Sequence, residues 1–149
     1  MSQATNEIAV IVTNKDSGMA QFSYELVKEL SDSFKVHYII PHNFEYLSSS
    51  KYKTNILLHT FKHSDRIFNI NGLFKILSIC KEIQSILNLF KTDVVVLTDN
   101  TPVSLLLPQF LKKRFKKYMF IHDGLYHLTS FTVRNIIAKY FYNFLMYKA

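Results

Sequence analysis

Two short runs constrain the fold more than any other part of the chain. One is Val94-Val95-Val96-Leu97, which stops in Thr98-Asp99-Asn100-Thr101-Pro102; the other is Tyr118-Met119-Phe120-Ile121, which stops in His122-Asp123-Gly124. A β-branched or aromatic run that ends abruptly in polar, turn-forming residues is the pattern of a fully buried parallel strand at the carboxyl edge of its sheet. If the two strands are neighbours, Asp99, Asn100, His122 and Asp123 converge on one crevice, where open α/β sheets bind ligands.

The remaining elements fit the same plan. A first strand is expected over 7–13, where Ile8, Val10, Ile11 and Val12 are nearly continuous, and Asn14-Lys15-Asp16-Ser17-Gly18 supplies turn chemistry. A helix follows over 19–30, with Met19, Phe22, Leu26, Val27 and Leu30 at helical spacing and Ser17 or Asp16 as its cap. Its start faces the sheet edge with open N–H groups, a ready site for phosphate or carboxylate. Strands are expected over 34–40, stopped by Pro41, and over 55–61, separated by a polar, serine-rich loop. The longest helical pattern spans 72–90, with Leu73, Ile76, Leu77, Cys80, Ile83, Leu87 and Phe90 on one stripe. After the strand over 93–98, Thr101-Pro102 opens another helix with a cap and a first-turn proline, and Pro108 is a candidate kink. A fifth strand over 117–121 ends at His122.

Helical crossovers between strands, without a repeated hairpin signal, predict an α/β fold: a doubly wound, mainly parallel sheet with helices on both faces. With 149 residues and no linker or repeat, a single domain over 1–149 is expected. Hydrophobic residues at 48% and charged residues at 19% exclude a disordered chain. Cys80, the single cysteine, sits among apolar residues and reads as a buried, reduced thiol. The start lacks the charge and apolar length of a signal peptide, and no apolar run reaches the about 18 residues of a membrane span. Cytoplasmic localisation is the expectation, with peripheral contact at the inner face of a membrane as an extension of it.

One segment does not read like a chain end. Over 130–149, Phe131, Val133, Ile136, Ile137, Tyr140, Phe141, Phe144, Leu145 and Met146 spread around most of a helix. Such a helix calls for cover on more than one side, from further polypeptide, a partner or a membrane.

The first strand with its Ser17-Gly18 turn, the helix ending Glu25-Leu26-Val27-Lys28-Glu29-Leu30, the strand Thr92-Asp93-Val94-Val95-Val96-Leu97, the helix from Pro102, the basic run Lys112-Lys113-Arg114-Phe115-Lys116-Lys117 and Phe120-Ile121-His122-Asp123 together resemble the amino-terminal half of family-four retaining glycosyltransferases. The resemblance implies a Rossmann-like acceptor domain, half of a GT-B architecture. It implies that His122 lies at the interdomain cleft beside the transferred sugar, and that Ser17 and Gly18 approach donor phosphates or acceptor. Where the family usually has two adjacent glycines, this chain has Ser17 before Gly18. The family's second domain, which binds the nucleotide-sugar and carries a pair of glutamates, has no counterpart in these residues, so the chain alone is expected not to transfer sugar. The implied partners are a nucleotide-sugar donor and a saccharide or lipid-linked acceptor, in surface polysaccharide or glycolipid synthesis.

Each signal has a plainer reading beside it. His122 is either a hydrogen-bonding group at the reaction centre or a strand cap, and the resemblance favours the first. Asp123 either contacts substrate or belongs to an Asp-Gly turn. Ser17 and Gly18 bind substrate or merely join strand to helix; no dinucleotide fingerprint and no Walker loop is present. Asp99 contacts acceptor or, like Asn100, starts the next helix. Lys112, Lys113, Arg114, Lys116 and Lys117 are a solvated helix end or a contact for an anionic membrane, each cation adding about 1 kcal/mol there. Nucleic acid is not expected, because the aromatics are placed as core residues rather than interleaved with the cations. No histidine pair has metal-ligand spacing on a supported face, His59 and His63 included, so no metal and no cofactor are expected. The runner-up function is a non-catalytic α/β module that docks a partner through its apolar last helix.

Overall fold

A strand buried on both faces cannot alternate apolar with polar residues, and the near-continuous apolar runs of this chain are such strands. In the computed structural model, which describes residues 6–15, 18–44, 54–62, 70–99 and 101–120, they are β1 (Glu7–Ile11), β2 (Lys35–Pro41), β3 (Ile56–Phe61), β4 (Val94–Leu97) and β5 (Lys116–Met119). The helices between them are α1 (Gly18–Leu30), α2 (Ile70–Leu87) and α3 (Pro102–Phe110). The five strands form one sheet in the order β3-β2-β1-β4-β5, with every described pairing parallel. This is the α/β, Rossmann-like arrangement expected, and β4 and β5 are neighbours.

Side chains alternate between two cores. Ala9, Ile11, Ile39, Val95 and Leu97 point to the face covered by α2 and α3, where Ile76, Ile79, Cys80, Ile83, Leu87, Val103 and Leu107 meet them. Val10, Val12, Val36, Tyr38, Ile40 and Val96 point to the other face, covered by α1 through Ala20 and Val27. Right-handed crossovers require this division, since α1 connects strands running one way across the sheet and α2 and α3 connect strands running the other way.

The stripes differ from their expected positions. On α1 the buried side chains are Ala20, Ser23 and Val27, while Phe22 is exposed. Small residues let the helix lie close to the sheet, and the Ser23 hydroxyl is satisfied there by the Ala20 carbonyl at 2.8 Å and the Tyr38 hydroxyl at 2.6 Å. On α2, Leu73 is half exposed and Ile79 replaces it in the core; Phe90 lies beyond the helix end. Pro41 is the last residue of β2, and the N–H of His42 takes up the ladder by donating to the Phe61 carbonyl at 2.9 Å. Pro108 is buried inside α3, and the helix ends two residues later at Phe110, with its C-cap Leu111 in an extended conformation.

Candidate functional site

The strand order reverses its direction of growth between β1 and β4. From the carboxyl ends of that pair the chain passes to α1 on one face of the sheet and to α3 on the other, the position at which doubly wound sheets bind ligands. Thr98 continues the pairing, its N–H and hydroxyl both donating to the Ile11 carbonyl at 3.1 Å. The next residue, Asp99, turns its carboxylate across to the end of β1.

Asp99 is 2% exposed, and its partners come from both turns. Oδ2 accepts the backbone N–H of Thr13 at 2.6 Å and of Asn14 at 2.7 Å. The Thr13 hydroxyl lies 3.1 and 3.2 Å from the two carboxyl oxygens, and Ser104 of α3 is a further partner. Burial pushes the carboxyl above its ordinary range, and the Thr13 and Asn14 N–H groups pull it back. The two N–H groups and the Thr13 hydroxyl give the buried carboxyl its hydrogen-bond partners.

Thr101 completes the junction. It caps α3 as expected, its hydroxyl accepting the Ser104 N–H at 3.3 Å, and it also touches the Thr13 hydroxyl. Pro102 at the first position loses no hydrogen bond. The two turns are thus one hydrogen-bonded unit centred on Asp99.

Gly18, the first residue of α1, is exposed at the same edge. A Cβ placed on it would meet no atom of the described residues within 4 Å. Ser17, Asn100, His122 and Asp123 lie outside the described residues, as does the apolar segment over 130–149. Of the expected substrate-binding residues, the structure therefore brings Asp99 and Gly18 to one edge.

The basic run lies elsewhere. Lys112, Lys113, Arg114, Lys116 and Lys117 are all exposed, in the turn before β5 and at its start. Lys116 pairs with Val94, the first residue of β4, so the cluster occupies the amino edge of the sheet, opposite the edge that holds Asp99 and Gly18. Two of its members reach carbonyls: Lys117 donates to Pro108 in α3 at 2.8 Å and Arg114 to Phe90 at 3.5 Å.

A second polar cluster, not foreseen from sequence, lies under α2. The imidazole of His37 sits between Glu7 Oε2, 3.2 Å from Nε2, and His59 Nε2, 3.2 Å from Nδ1. A carboxylate only accepts, so Nε2–H of His37 donates to Glu7 and its bare Nδ1 accepts from Nε2–H of His59. Burial holds both imidazoles below their usual pKa. No group of three or more metal-ligating side chains occurs among the described residues. No described helix is long and apolar enough to cross a membrane.

Compared with known proteins, the chain matches no family model and no curated sequence.

Proposed function

We propose that this chain is the acceptor-side domain of a glycosyltransferase of the GT-B type, taking part in transfer of a sugar from a nucleotide-sugar donor to a saccharide or lipid-linked acceptor. The observation that carries the reading is the reversal of strand order between β1 and β4, with the turns of both strands at a single edge. Ligands of doubly wound sheets bind at that point. The sequence resemblance supports the same edge, since its motif residues Gly18 and His122 come after β1 and β5 in the chain.

In this reading Gly18 leaves room for the acceptor and His122 hydrogen-bonds the sugar being transferred. A second lobe, as in the resembled family, supplies the nucleotide-sugar. Asp99 holds the two turns at a fixed separation. Membrane contact through the basic run is a separable part of the proposal, because those residues lie at the opposite edge.

The test is titration of the chain with candidate saccharide and lipid-linked acceptors, followed by amide NMR. Acceptors are expected to move the resonances of Asn14, Gly18, Met19 and Thr101. Acceptors that move only residues of the amino edge, or none at all, would end the proposal.

A further inference from the structure

The two loops that lead into β4 and β5 meet at the amino edge of the sheet. Arg114, in the loop before β5, reaches the carbonyl of Phe90, in the loop before β4, at 3.5 Å, and the Lys116 N–H donates to the Asp93 carbonyl at 2.7 Å. The ring of Phe90 is turned inward and packed on His37. Its neighbour Leu89 is held in the turn by its N–H on the Ile86 carbonyl at 3.1 Å, yet the residue is 79% exposed, more than any other large hydrophobic among the described residues. The same two loops and the first residue of β5 expose Lys91, Lys112, Lys113, Arg114 and Lys116 against one exposed acid, Asp93.

We infer that this edge docks on an anionic lipid bilayer, with the cations on headgroup phosphates and Leu89 inserted at the boundary of the acyl chains. A lone exposed leucine means little by itself. Here it sits on a turn pinned from within by Phe90 and tied by Arg114 to the cationic loop, so the apolar group and the charges are presented together. A bilayer suits that pairing: anionic headgroups attract each cation, and lipid tails accept an apolar side chain without a shaped pocket. A protein partner would need about 800 Å² of matched surface, of which one leucine supplies a small part. Single-stranded nucleic acid stacks its bases on aromatic rings and has no use for an aliphatic side chain between its phosphate contacts. The inference rests on the membrane-contact part of the proposed function and adds Leu89 as its apolar anchor. It owes nothing to the acceptor reading, which concerns the opposite edge.

The experiment uses the full chain and vesicles of phosphatidylcholine, alone or mixed with phosphatidylglycerol. Leu89→Trp introduces the single indole of a chain that has no tryptophan. On mixed vesicles its emission is expected to move to the blue and to be quenched at least about twofold by lipids brominated near the headgroup end of the acyl chain. Leu89→Ser should weaken binding to mixed vesicles at least about fivefold, and that ratio should persist as added salt weakens binding of both proteins, because salt screens charges and not apolar contact. Binding that leaves the indole unquenched, as attachment through the apolar segment over 130–149 would, overturns the inference. So does a Leu89→Ser protein that binds as tightly as the wild type, or saturable binding of single-stranded RNA tighter than binding to the mixed vesicles. Those results strike the anchor alone, whereas equal wild-type affinity for the two vesicle types removes the membrane contact with it, so the two failures are distinguishable.

Discussion

The imidazole of His37 lies flat against the ring of Phe90, with 3.9 Å between centroids and 16° between planes. Phe90 also leans on His59 at 4.5 Å, so one aromatic ring covers the pair of imidazoles that bridge β2 and β3. The cover excludes water from one side of a hydrogen-bonded chain that ends on Glu7. Protonating the pair therefore costs more in the folded protein than in the unfolded one.

This predicts a pH dependence with a definite sign. Both histidines have their pKa lowered below the ordinary 6.5 by burial, so the unfolded chain binds protons first as pH falls. The stability they contribute is fully present above that value and is lost as pH drops from it through the lower folded values. Urea midpoints should fall between about pH 8 and about pH 5.5, and His37→Leu combined with His59→Leu should flatten the profile over that interval. A double variant with the wild-type slope would remove the pair as the cause. Glu7, held low mainly by its hydrogen bond to Lys35, acts in the same direction only at more acid pH, below its ordinary 4.5.

Asp99→Ala should destabilise the fold by about 2–4 kcal/mol, because it leaves buried N–H groups of Thr13 and Asn14 without an acceptor. Asp99→Asn keeps one acceptor oxygen and should lose about half as much. Thr101→Ala removes a cap and should lose about 1 kcal/mol. Chemical denaturation checks the ranking, and equal losses for the two Asp99 variants would contradict the role of the side-chain oxygen as acceptor for Thr13 and Asn14.

Cys80 should resist thiol reagents in the native state. Burial pushes its pKa up to about 12, its side chain has no exposure, and its thiol faces the Val103 carbonyl. Thiolate is the reactive form, so labelling should follow global unfolding and accelerate with denaturant. Fast labelling in buffer would mean that α2 opens locally.

The basic run predicts preference for anionic vesicles. Lys112, Lys113 and Lys116 are exposed, and reversing all three to Glu should weaken binding to anionic vesicles at least about hundredfold, at about 1 kcal/mol per cation. Equal wild-type affinity for anionic and neutral vesicles would reject the contact.

Much of the fold was legible because burial on both faces writes itself into a strand as an unbroken apolar run. Val94 to Leu97 and Ile8 to Ile11 could be read this way, and Thr101-Pro102 announced α3 by cap chemistry. What could not be read was any relation closed by tertiary contact. Thr13 and Asp99 are 86 residues apart, and a carboxylate after a strand looks the same whether it meets a ligand or a neighbouring turn. Phe90 continued the period of α2 in sequence, yet it serves as a lid on His37 because the helix stops at Leu87. The core stripe of α1 was misplaced for a related reason: Ser23 counts as polar by composition but is buried, its hydroxyl satisfied by Tyr38.

Among the described residues β5 is the outer strand on its side, and it opens with Lys116 and Lys117. Two copies meeting rim to rim would bring four ammonium groups into one short ladder, and neither copy offers a carboxylate within the strand to offset them. Repulsion of that kind sets an electrostatic brake on polymerisation through this rim.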